Sequence, residues 1–429
     1  MKVAICDLCL NNEIHETVNI GFIYGVTLLF PSETHPFYAD RRHQQVLRAT
    51  IHRRQLNLEQ IKDIPMPANQ GATWFGQRKS KRRIKVILDD MNTRQISVLL
   101  VLSSLPFQRL ILKKLLLRPE YQHLRCVMIL HGGLEAISGL DHSPTPLLDL
   151  SLTNPHTYTK PHQYLAHLAT RFSRSFTNRL RRLKHRCLQR WTTPIDFKEH
   201  LRQDHSPRIR YIVLSSHIIP NVQTYIDPQS LNFCYLPHPA VFYPQSAPPQ
   251  HNQMTFAVFG YGNPGLLQRL NLALTQLNLT QPFEIRVIGA NHQGVSDFPW
   301  MTSPIQRTLS RVEMEELAQD IDAFLILYEP HRYRLSCSGS IVEALSMHKP
   351  IFYLENECIR AFDHLPDVPL GISAPNVGQL AEHMSRFIEE YPAHQSELLQ
   401  FREHIEQVRQ AVDITHRLEE FSHYLHFDA

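Results

Sequence analysis

Residues Tyr328 to Leu354, with the sequence YEPHRYRLSCSGSIVEALSMHKPIFYL, carry the strongest local signal in this chain. They follow an apolar run and pass a serine and glycine cluster at 336–340. They then enter an amphipathic segment at 341–347 and end in an apolar run at 350–354. Strand, loop, helix and strand in that order is the repeating unit of an α/β fold. The stretch therefore predicts an α/β unit with a loop at the start of its helix.

The loop of this unit has the composition of an anion-binding site. Two arginines precede three small residues, in the order Arg332, Arg334, Ser338, Gly339 and Ser340. Backbone N–H groups at a helix N-terminus attract phosphate, and arginine adds charge in a bidentate geometry. A second interpretation needs no ligand, because Ser340 and Glu343 have the S-x-x-E spacing of a capping box.

Length and composition narrow the class of protein. A chain of 429 residues is longer than one hydrophobic core usually serves, so two or three domains are expected. No uncharged apolar run is long enough to predict a membrane span, and no signal peptide is recognisable at the start. The scattered cysteines predict reduced thiols in a cytoplasm, and we expect Cys6 and Cys9, a lone C-x-x-C pair, to be buried structural thiols.

Positive charge is concentrated in two runs, Arg78–Lys85 and Arg171–Arg190, although the net charge is only +4. The second run lies in the segment 162–190, where apolar residues at three- and four-residue spacing predict a basic amphipathic helix. Its apolar face either docks on the protein or helps the basic face contact an anionic membrane surface. No recognised nucleic-acid motif appears, so nucleic-acid binding is not expected.

The α/β pattern occurs twice, on either side of a proline-rich stretch. It predicts a first Rossmann-like domain over residues 1–238, a linker over 239–253, a second Rossmann-like domain over 254–406 and a C-terminal helix over 407–429 that packs back across both. The strands predicted in the first domain are Val3–Cys6, Gly25–Phe30, Ile96–Ser103, Arg125–Leu130 and Tyr211–Ser215. A ligand is expected in the cleft between two such domains.

Polar residues follow two of these strands. His15 and Asn19 come after the first strand, and His131-Gly132-Gly133 directly follows the strand at 125–130. Ligands gather at the carboxyl ends of strands in open α/β sheets, and glycine lets the backbone approach them. His131 is therefore a candidate general base or hydrogen-bonding residue, and His15 a candidate substrate contact. The alternatives are a turn with an incidental histidine and an ordinary surface histidine among the 26 of this chain.

Three segments resemble the two-domain GT-B glycosyltransferases, in particular the bacterial group 1 or family 4-like polysaccharide transferases. The segment LPHPAVF at 236–242 resembles the family's linker strand, and TFAVFGYG at 255–262 resembles the first strand and glycine turn of its donor domain. The segment SGSIVEALSMHKPIFYL at 338–354 resembles the family's S-G-x-x-x-E-A-L-x-x-G-x-P-V signature. The first half of the chain matches only in layout.

This resemblance implies transfer of a sugar, hexosyltransferase-like, from a nucleotide diphosphate donor to a glycan or lipid-linked acceptor in surface polysaccharide biosynthesis. It implies no metal or other cofactor. Together with the scattered cysteines and the basic runs, it predicts a cytoplasmic enzyme that is peripheral on the inner face of the membrane. The implied donor-binding residues are Gly260, Gly262, Arg332, Arg334, Ser338, Gly339, Ser340 and Glu343, the last on the ribose. The implied catalytic residues are His131 and His15, and the implied acceptor-binding residues are Asn19, Gly132 and Gly133.

The chain departs from the family pattern at three places. Leu335 stands where many retaining members have a glutamate eight residues before the one matching Glu343. The residues after Gly262 include no early lysine or arginine, and the glycine before the final proline is replaced by Lys349, after His348. Two alternatives therefore stay open: a catalytically silent GT-B or polyanion-binding protein, and a sugar-nucleotide epimerase or hydrolase of the same fold.

Overall fold

The computed structural model describes most of the chain. The residues outside the description are 11–14, 69–73, 133, 138–205, 227–231, 243–250, 260–262, 289–294, 296, 306–308, 310, 364–368 and 428–429. The described residues form two parallel β-sheets and twelve α-helices. None of the helices in this described part is both long and apolar enough to cross a bilayer.

The first sheet has seven parallel strands in the order β3-β2-β1-β4-β5-β6-β7. They are β1 (Val3–Asp7), β2 (His35–Ala39), β3 (Ile61–Pro65), β4 (Val98–Ser103), β5 (Arg125–Leu130), β6 (Ile209–Val213) and β7 (Phe233–Tyr235). All residues of β1 and β4 are buried, because helices cover both faces of the sheet. The strand order reverses between β1 and β4, and ligands of open α/β sheets bind beside such a reversal.

Two groups of helices cover this sheet. They are α1 (Glu16–Leu29) and α2 (Arg41–Arg53) on one face, and α3 (Trp74–Thr93), α4 (Pro106–Leu116) and α5 (Ile218–Gln223) on the other. The start of α2 is capped by Asp40, whose carboxylate accepts the N–H of Arg42 at 3.0 Å. The basic run Arg78–Lys85 lies on α3, whose buried side chains Ile84, Leu88 and Met91 dock it on the sheet.

The second sheet has five parallel strands in the order β12-β11-β10-β8-β9. They are β8 (Met254–Val258), β9 (Phe283–Val287), β10 (Ala323–Ile326), β11 (Ile351–Leu354) and β12 (Gly371–Ala374). Its helices are α6 (Pro264–Gln276), α7 (Arg311–Ala318), α8 (Gly339–Ser346), α9 (Glu357–Asp363) and α10 (Val377–Glu389). The stretch 328–354 thus forms the predicted loop, helix and strand, as the loop after β10, α8 and β11.

The C-terminal segment joins the two sheets. Helix α11 (Tyr391–Val412) packs on the second sheet, where Ile405 and Val408 are fully buried. A short 3₁₀ turn then leads to α12 (Leu418–His426), whose Phe421 and Leu425 are buried in the core of the first sheet. The end of the chain therefore returns to the sheet with which the chain began.

The predicted strand at Gly25–Phe30 is wrong, because residues 16–29 form the single helix α1. A short apolar run is equally consistent with a buried strand and a buried helix, so periodicity could not separate the two. The glycines of α1 permit close packing. A Cβ on Gly21 would lie 2.8 Å from the carbonyl oxygen of Pro239, and one on Gly25 would lie 2.8 Å from Cγ1 of Ile414. The predicted helix at 162–190, with Arg171–Arg190, lies outside the described residues.

Candidate functional site

The N-terminus of α8 opens towards solvent. Gly339, the first residue of the helix, is exposed, and a Cβ added to it would have no heavy atom within 4 Å. The first N–H groups of an α-helix have no partner within the helix, so they point outward as donors. Together with the positive end of the helix dipole they form a place where an anion is stabilised.

The capping-box interpretation of Ser340 and Glu343 is wrong. Helix α8 has Ser338 as its N-cap residue, so Ser340 already lies inside the helix. The Ser338 side chain does not cap the helix either, because its buried hydroxyl forms a 2.7 Å hydrogen bond with the hydroxyl of Tyr328. Its backbone N–H is directed to Sγ of Cys358 at 3.3 Å. The start of α8 is thus shaped by the loop and by α9 rather than by its own side chains.

Residues 333–335 of the loop before α8 are held by the first sheet's half of the chain. Nε2 of His217 lies 2.8 Å from the carbonyl oxygen of Tyr333 and therefore carries the proton, since a carbonyl only accepts. Asn221 donates to the carbonyl oxygen of Arg334 at 3.1 Å, and Nε of Arg334 lies 3.3 Å from the amide oxygen of Asn221. The side chain of Leu335 is fully buried in the core of the first sheet. The loop therefore spans the junction between the sheets.

Arg332 stays on the second sheet's side of this junction. Its guanidinium lies 5.0 Å from the ring centroid of Tyr333, a cation–π distance. The amide of Asn356 donates to the carbonyl oxygen of Arg332 at 2.8 Å and fixes the backbone there. Tyr333 adopts a left-handed conformation with a φ of 61°, which is uncommon for a residue with a bulky side chain.

Glu343 reaches across the junction from α8. Its Oε1 accepts a hydrogen bond from the hydroxyl of Thr17 at 3.0 Å. Thr17 lies in the first turn of α1, two residues after His15, which is the N-cap residue of that helix with a φ of 60°. The start of α1 and the start of α8 therefore face each other, one from each sheet.

His15 and His131 are brought together as a tilted pair of rings, with an interplanar angle of 33°. Their ring centroids are 4.0 Å apart, and both side chains keep part of their exposure. Nε2 of His131 lies 2.8 Å from the carbonyl oxygen of Leu102 and so carries the proton, which leaves Nδ1 as the acceptor nitrogen. Desolvation lowers the pKa of His131 to about 3 and holds the pKa of His15 well below its usual value. Both rings are therefore neutral near pH 7.

A third histidine, His238, belongs to the same group and was not predicted. It follows β7, and only 4% of its surface is exposed. Burial, and secondarily the repulsion that His15 would exert if both rings were protonated, lower the pKa of His238 to about 3. The sequence shows it only as the centre of Pro237-His238-Pro239, which has the composition of a linker, so no signal connected it with His15.

Asn19, in the first turn of α1 after His15, is fully buried in a polar network. Its amide nitrogen donates to Oδ2 of Asp7 at 3.1 Å and lies 3.0 Å from Nε2 of His43. The other oxygen of Asp7 accepts the N–H groups of Cys9 and Leu10 at 3.1 and 2.9 Å. Asn19 thus fixes the loop after β1 to α2. Asp7 was visible in the sequence only as a charge within an apolar run.

The remaining predicted site residues divide into two groups. Gly132 is exposed beside His131, and a Cβ added to it would meet no heavy atom within 4 Å. Gly133, Gly260 and Gly262 lie outside the described residues. Within the part of the chain that is described, no three histidine, cysteine or acidic residues are arranged to hold a metal ion.

His348 and Lys349, which stand where the chain departs from the family signature before its final proline, have structural roles. His348 has a φ of 57°, the left-handed conformation in which glycine is favoured at the end of a helix. The ammonium group of Lys349 is buried and donates to the carbonyl oxygens of Gln319 and Ile321 at 3.0 and 2.6 Å, just beyond α7. Burial lowers its pKa to about 7. This departure therefore concerns packing behind α8.

No protein-family model matches the chain, and no curated protein matches its sequence. Among solved structures it is similar to HepE from Anabaena in complex with UDP-glucose, at 10% identity and a TM-score of 0.57 over 99% of each chain. It is similar to a glycosyltransferase from Rickettsia africae ESF-5, at 11% identity and a TM-score of 0.56 over 99% of this chain and 98% of that one. It is also similar to WaaG, a glycosyltransferase involved in lipopolysaccharide biosynthesis, at 12% identity and a TM-score of 0.51 over 99% of each chain. The two parallel sheets and these structural similarities show that the chain has the GT-B fold. The resemblance of its motifs predicted this fold.

The burial of neutral histidines makes the stability of the fold depend on pH. The pKa of His238 is about 3 in the fold and about 6.5 in an unfolded chain, so the unfolded state binds more protons between these values. Stability is therefore fully present above about pH 6.5 and is lost as the pH falls towards 3. We expect the melting temperature to fall between about pH 7.5 and about pH 5, and to fall less in His238→Gln.

The matched control is His123→Gln, which changes an exposed histidine. It should lose as many degrees as the wild type over the same pH interval, measured by circular dichroism. An equal loss in all three proteins would show that His238 is not held neutral by the fold.

Proposed function

We propose that this protein is a glycosyltransferase that moves a sugar from a nucleotide diphosphate donor to a hydroxyl group of a glycan or lipid-linked acceptor. The observation that carries the proposal is the exposed start of α8 at Gly339, which faces the start of α1 across the junction of a GT-B fold. The Anabaena structure holds UDP-glucose, which supports a nucleotide sugar as the donor class.

The donor diphosphate would bind at the first turn of α8. When the bond between the anomeric carbon and the diphosphate oxygen breaks, the electron pair goes to the diphosphate, and its charge grows. Helix N–H groups aimed at that charge, with the guanidinium of Arg332 in the adjoining loop, would stabilise the leaving group without a resident metal ion. Glu343 would bind the ribose, because its carboxylate already accepts a hydroxyl hydrogen bond from Thr17.

The acceptor hydroxyl would approach from the side of His15 and His131. Its oxygen forms the new bond to the anomeric carbon and its proton is released to solvent. An imidazole with a pKa of about 3 is a weak base, so Nδ1 of His131 would orient the hydroxyl by accepting its hydrogen bond rather than by removing the proton early. The His15 ring packs beside His131, with 4.0 Å between the ring centroids.

Gly339→Val tests the donor site without disturbing the fold. The added side chain would meet no heavy atom within 4 Å of Cβ, so the melting temperature should change little. It would fill the space where a diphosphate approaches the helix. We expect UDP, GDP, CDP or ADP, or one of their common sugars, to raise the melting temperature of the wild type, since a ligand of the folded state stabilises it. We expect Gly339→Val to lose that rise.

Gly378→Val is the control, because Gly378 is a glycine in the first turn of α10, a helix of the same sheet. A Cβ there would lie 3.3 Å from Oδ1 of Asn376, so the melting temperature of this variant without ligand is measured first. The variant should retain the wild-type response to the nucleotide. If Gly339→Val responds as strongly as this control, the nucleotide does not bind at α8. If no nucleotide stabilises the wild type, the protein is not a nucleotide-sugar transferase.

We further propose that the protein acts in surface polysaccharide synthesis, on the cytoplasmic face of a membrane. The likeness to WaaG, a protein involved in lipopolysaccharide biosynthesis, supports the pathway class. Support for membrane contact comes from α3, which exposes a basic face with Phe75 and Val86 exposed by 68% and 50%. The exposed basic side chains are Arg78, Lys79, Lys81, Arg82 and Lys85. Anionic headgroups attract such residues, and the exposed apolar side chains can enter the interface.

Charge reversal on α3 tests this contact. Each basic residue near an anionic surface contributes about 1 kcal/mol, so Lys79→Glu with Arg82→Glu should weaken vesicle binding by about thirtyfold or more. The assay is cosedimentation with phosphatidylglycerol vesicles at low and high salt. Arg360→Glu with Arg386→Glu, on helices of the second sheet, changes the net charge equally and should bind more tightly than the α3 variant. Equal binding by both variants would exclude α3 as the docking face.

A further inference from the structure

Leu335 cannot reach a donor bound at α8. It stands eight residues before Glu343, where many retaining relatives of the resembled family have a glutamate. Its side chain is fully buried, with Leu134, Ile137 and Ile218 in the same core of the first sheet. Position 335 therefore supplies no carboxylate. The Leu335 side chain points into the core of the first sheet, away from α8 and the second sheet.

A carboxylate from the first sheet's part of the chain instead contacts the backbone of this loop and the side chain of Ser336, the next residue towards α8. Oε1 of Glu135 accepts the backbone N–H of Leu335 at 2.9 Å and the hydroxyl of Ser336 at 2.6 Å. Glu135 opens a 3₁₀ turn, Glu135–Ile137, four residues after His131. The neighbouring side chains of Leu134 and Ile137 are buried and anchor this turn. The Glu135 carboxylate therefore contacts the loop before α8 from a rigidly packed backbone.

We propose that Glu135 is the residue that binds the hydroxyl groups of the donor sugar, in place of a carboxylate at position 335. The inference rests on the proposed function. A carboxylate has about four acceptor positions, so a side chain that binds the loop through Oε1 can exchange its other contacts for sugar hydroxyl groups. Sugar hydroxyls are donors of the same kind as the Ser336 hydroxyl that Glu135 already binds. The negative charge also favours the positive charge that develops on the sugar as the diphosphate leaves.

This arrangement places the sugar-binding group and the diphosphate-binding group on different halves of the chain. The diphosphate is bound by α8 of the second sheet, whereas Glu135 follows β5 of the first. A nucleoside diphosphate without its sugar should therefore not depend on Glu135. A nucleotide sugar should reach its full affinity only when α8 of the second sheet and Glu135 of the first sheet contact it at the same time.

The experiment compares two ligands of the same nucleotide by isothermal titration calorimetry. The pairs are UDP and UDP-glucose, GDP and GDP-mannose, ADP and ADP-glucose, and CDP and CDP-glucose, and the pair used is the one that the wild type binds. In Glu135→Gln the amide oxygen can still accept from Leu335 and Ser336, so the loop is retained while the charge is lost. We expect the affinity for the nucleotide sugar to fall by about tenfold or more, and that for the nucleoside diphosphate to stay within about threefold.

Glu120→Gln is the matched control, because Glu120 is exposed on the neighbouring turn Pro119–Tyr121 and pairs at the surface with Arg118 at 3.6 Å. It should bind both ligands as the wild type does. If Glu135→Gln is not folded, Glu135→Asp takes its place, with a larger loss expected for the sugar ligand than for the diphosphate.

Two results would overturn the inference alone: an unchanged affinity of Glu135→Gln for both ligands, and an equal loss for both, which would make Glu135 only a tie for the loop. A wild type that binds no member of any pair would overturn the proposed function and this inference with it.

Discussion

The burial of Leu335 in the core of the first sheet is the constraint on which the rest of the site depends. Leu335 belongs to the loop between β10 and α8 of the second sheet, yet it packs with residues of the first. His217 and Asn221 bind the carbonyl oxygens of Tyr333 and Arg334. Glu135 accepts the backbone N–H of Leu335 and the hydroxyl of Ser336. Four consecutive residues of one half are thereby fixed to the other. Because α8 begins three residues after this segment, its direction relative to α1 is fixed as well.

A second connection between the halves lies in the C-terminal segment. Helix α12 returns to the first sheet, and the ring of Phe421 packs 5.5 Å from the ring of Phe22 in α1. The glycines of α1 bring this helix close to the chain around Pro239 and to Ile414. The helix that begins after His15 and carries Thr17 is thus held from behind, while its first turn faces Glu343. Both sides of the candidate site therefore rest on contacts that cross between the sheets.

The sequence predicted the local features of this structure well. The strand at 125–130 has the predicted bounds, and the stretch 328–354 has the predicted order of loop, helix and strand. These are features that short-range patterns determine. Helix α1 was missed at 25–30 because a buried helix and a buried strand look alike in a short apolar run. The roles of Glu135 and His238 could not be predicted, because each arises from contacts between residues that lie far apart in the chain. The location of Leu335 could not be predicted for the same reason. Its position in the sequence suggested the donor site of the second domain, but its side chain lies in the core of the first sheet.

The proposed function requires that the first turn of α8 hold the diphosphate of a nucleotide sugar. Hydrogen–deuterium exchange of the wild type, with and without the nucleotide that stabilises it, tests this claim directly. Backbone N–H groups that donate to a bound anion exchange more slowly. We expect slower exchange in the bound protein at residues 339–341, in the first turn of α8. Unchanged exchange at these residues, with slower exchange at another part of the chain, would contradict it.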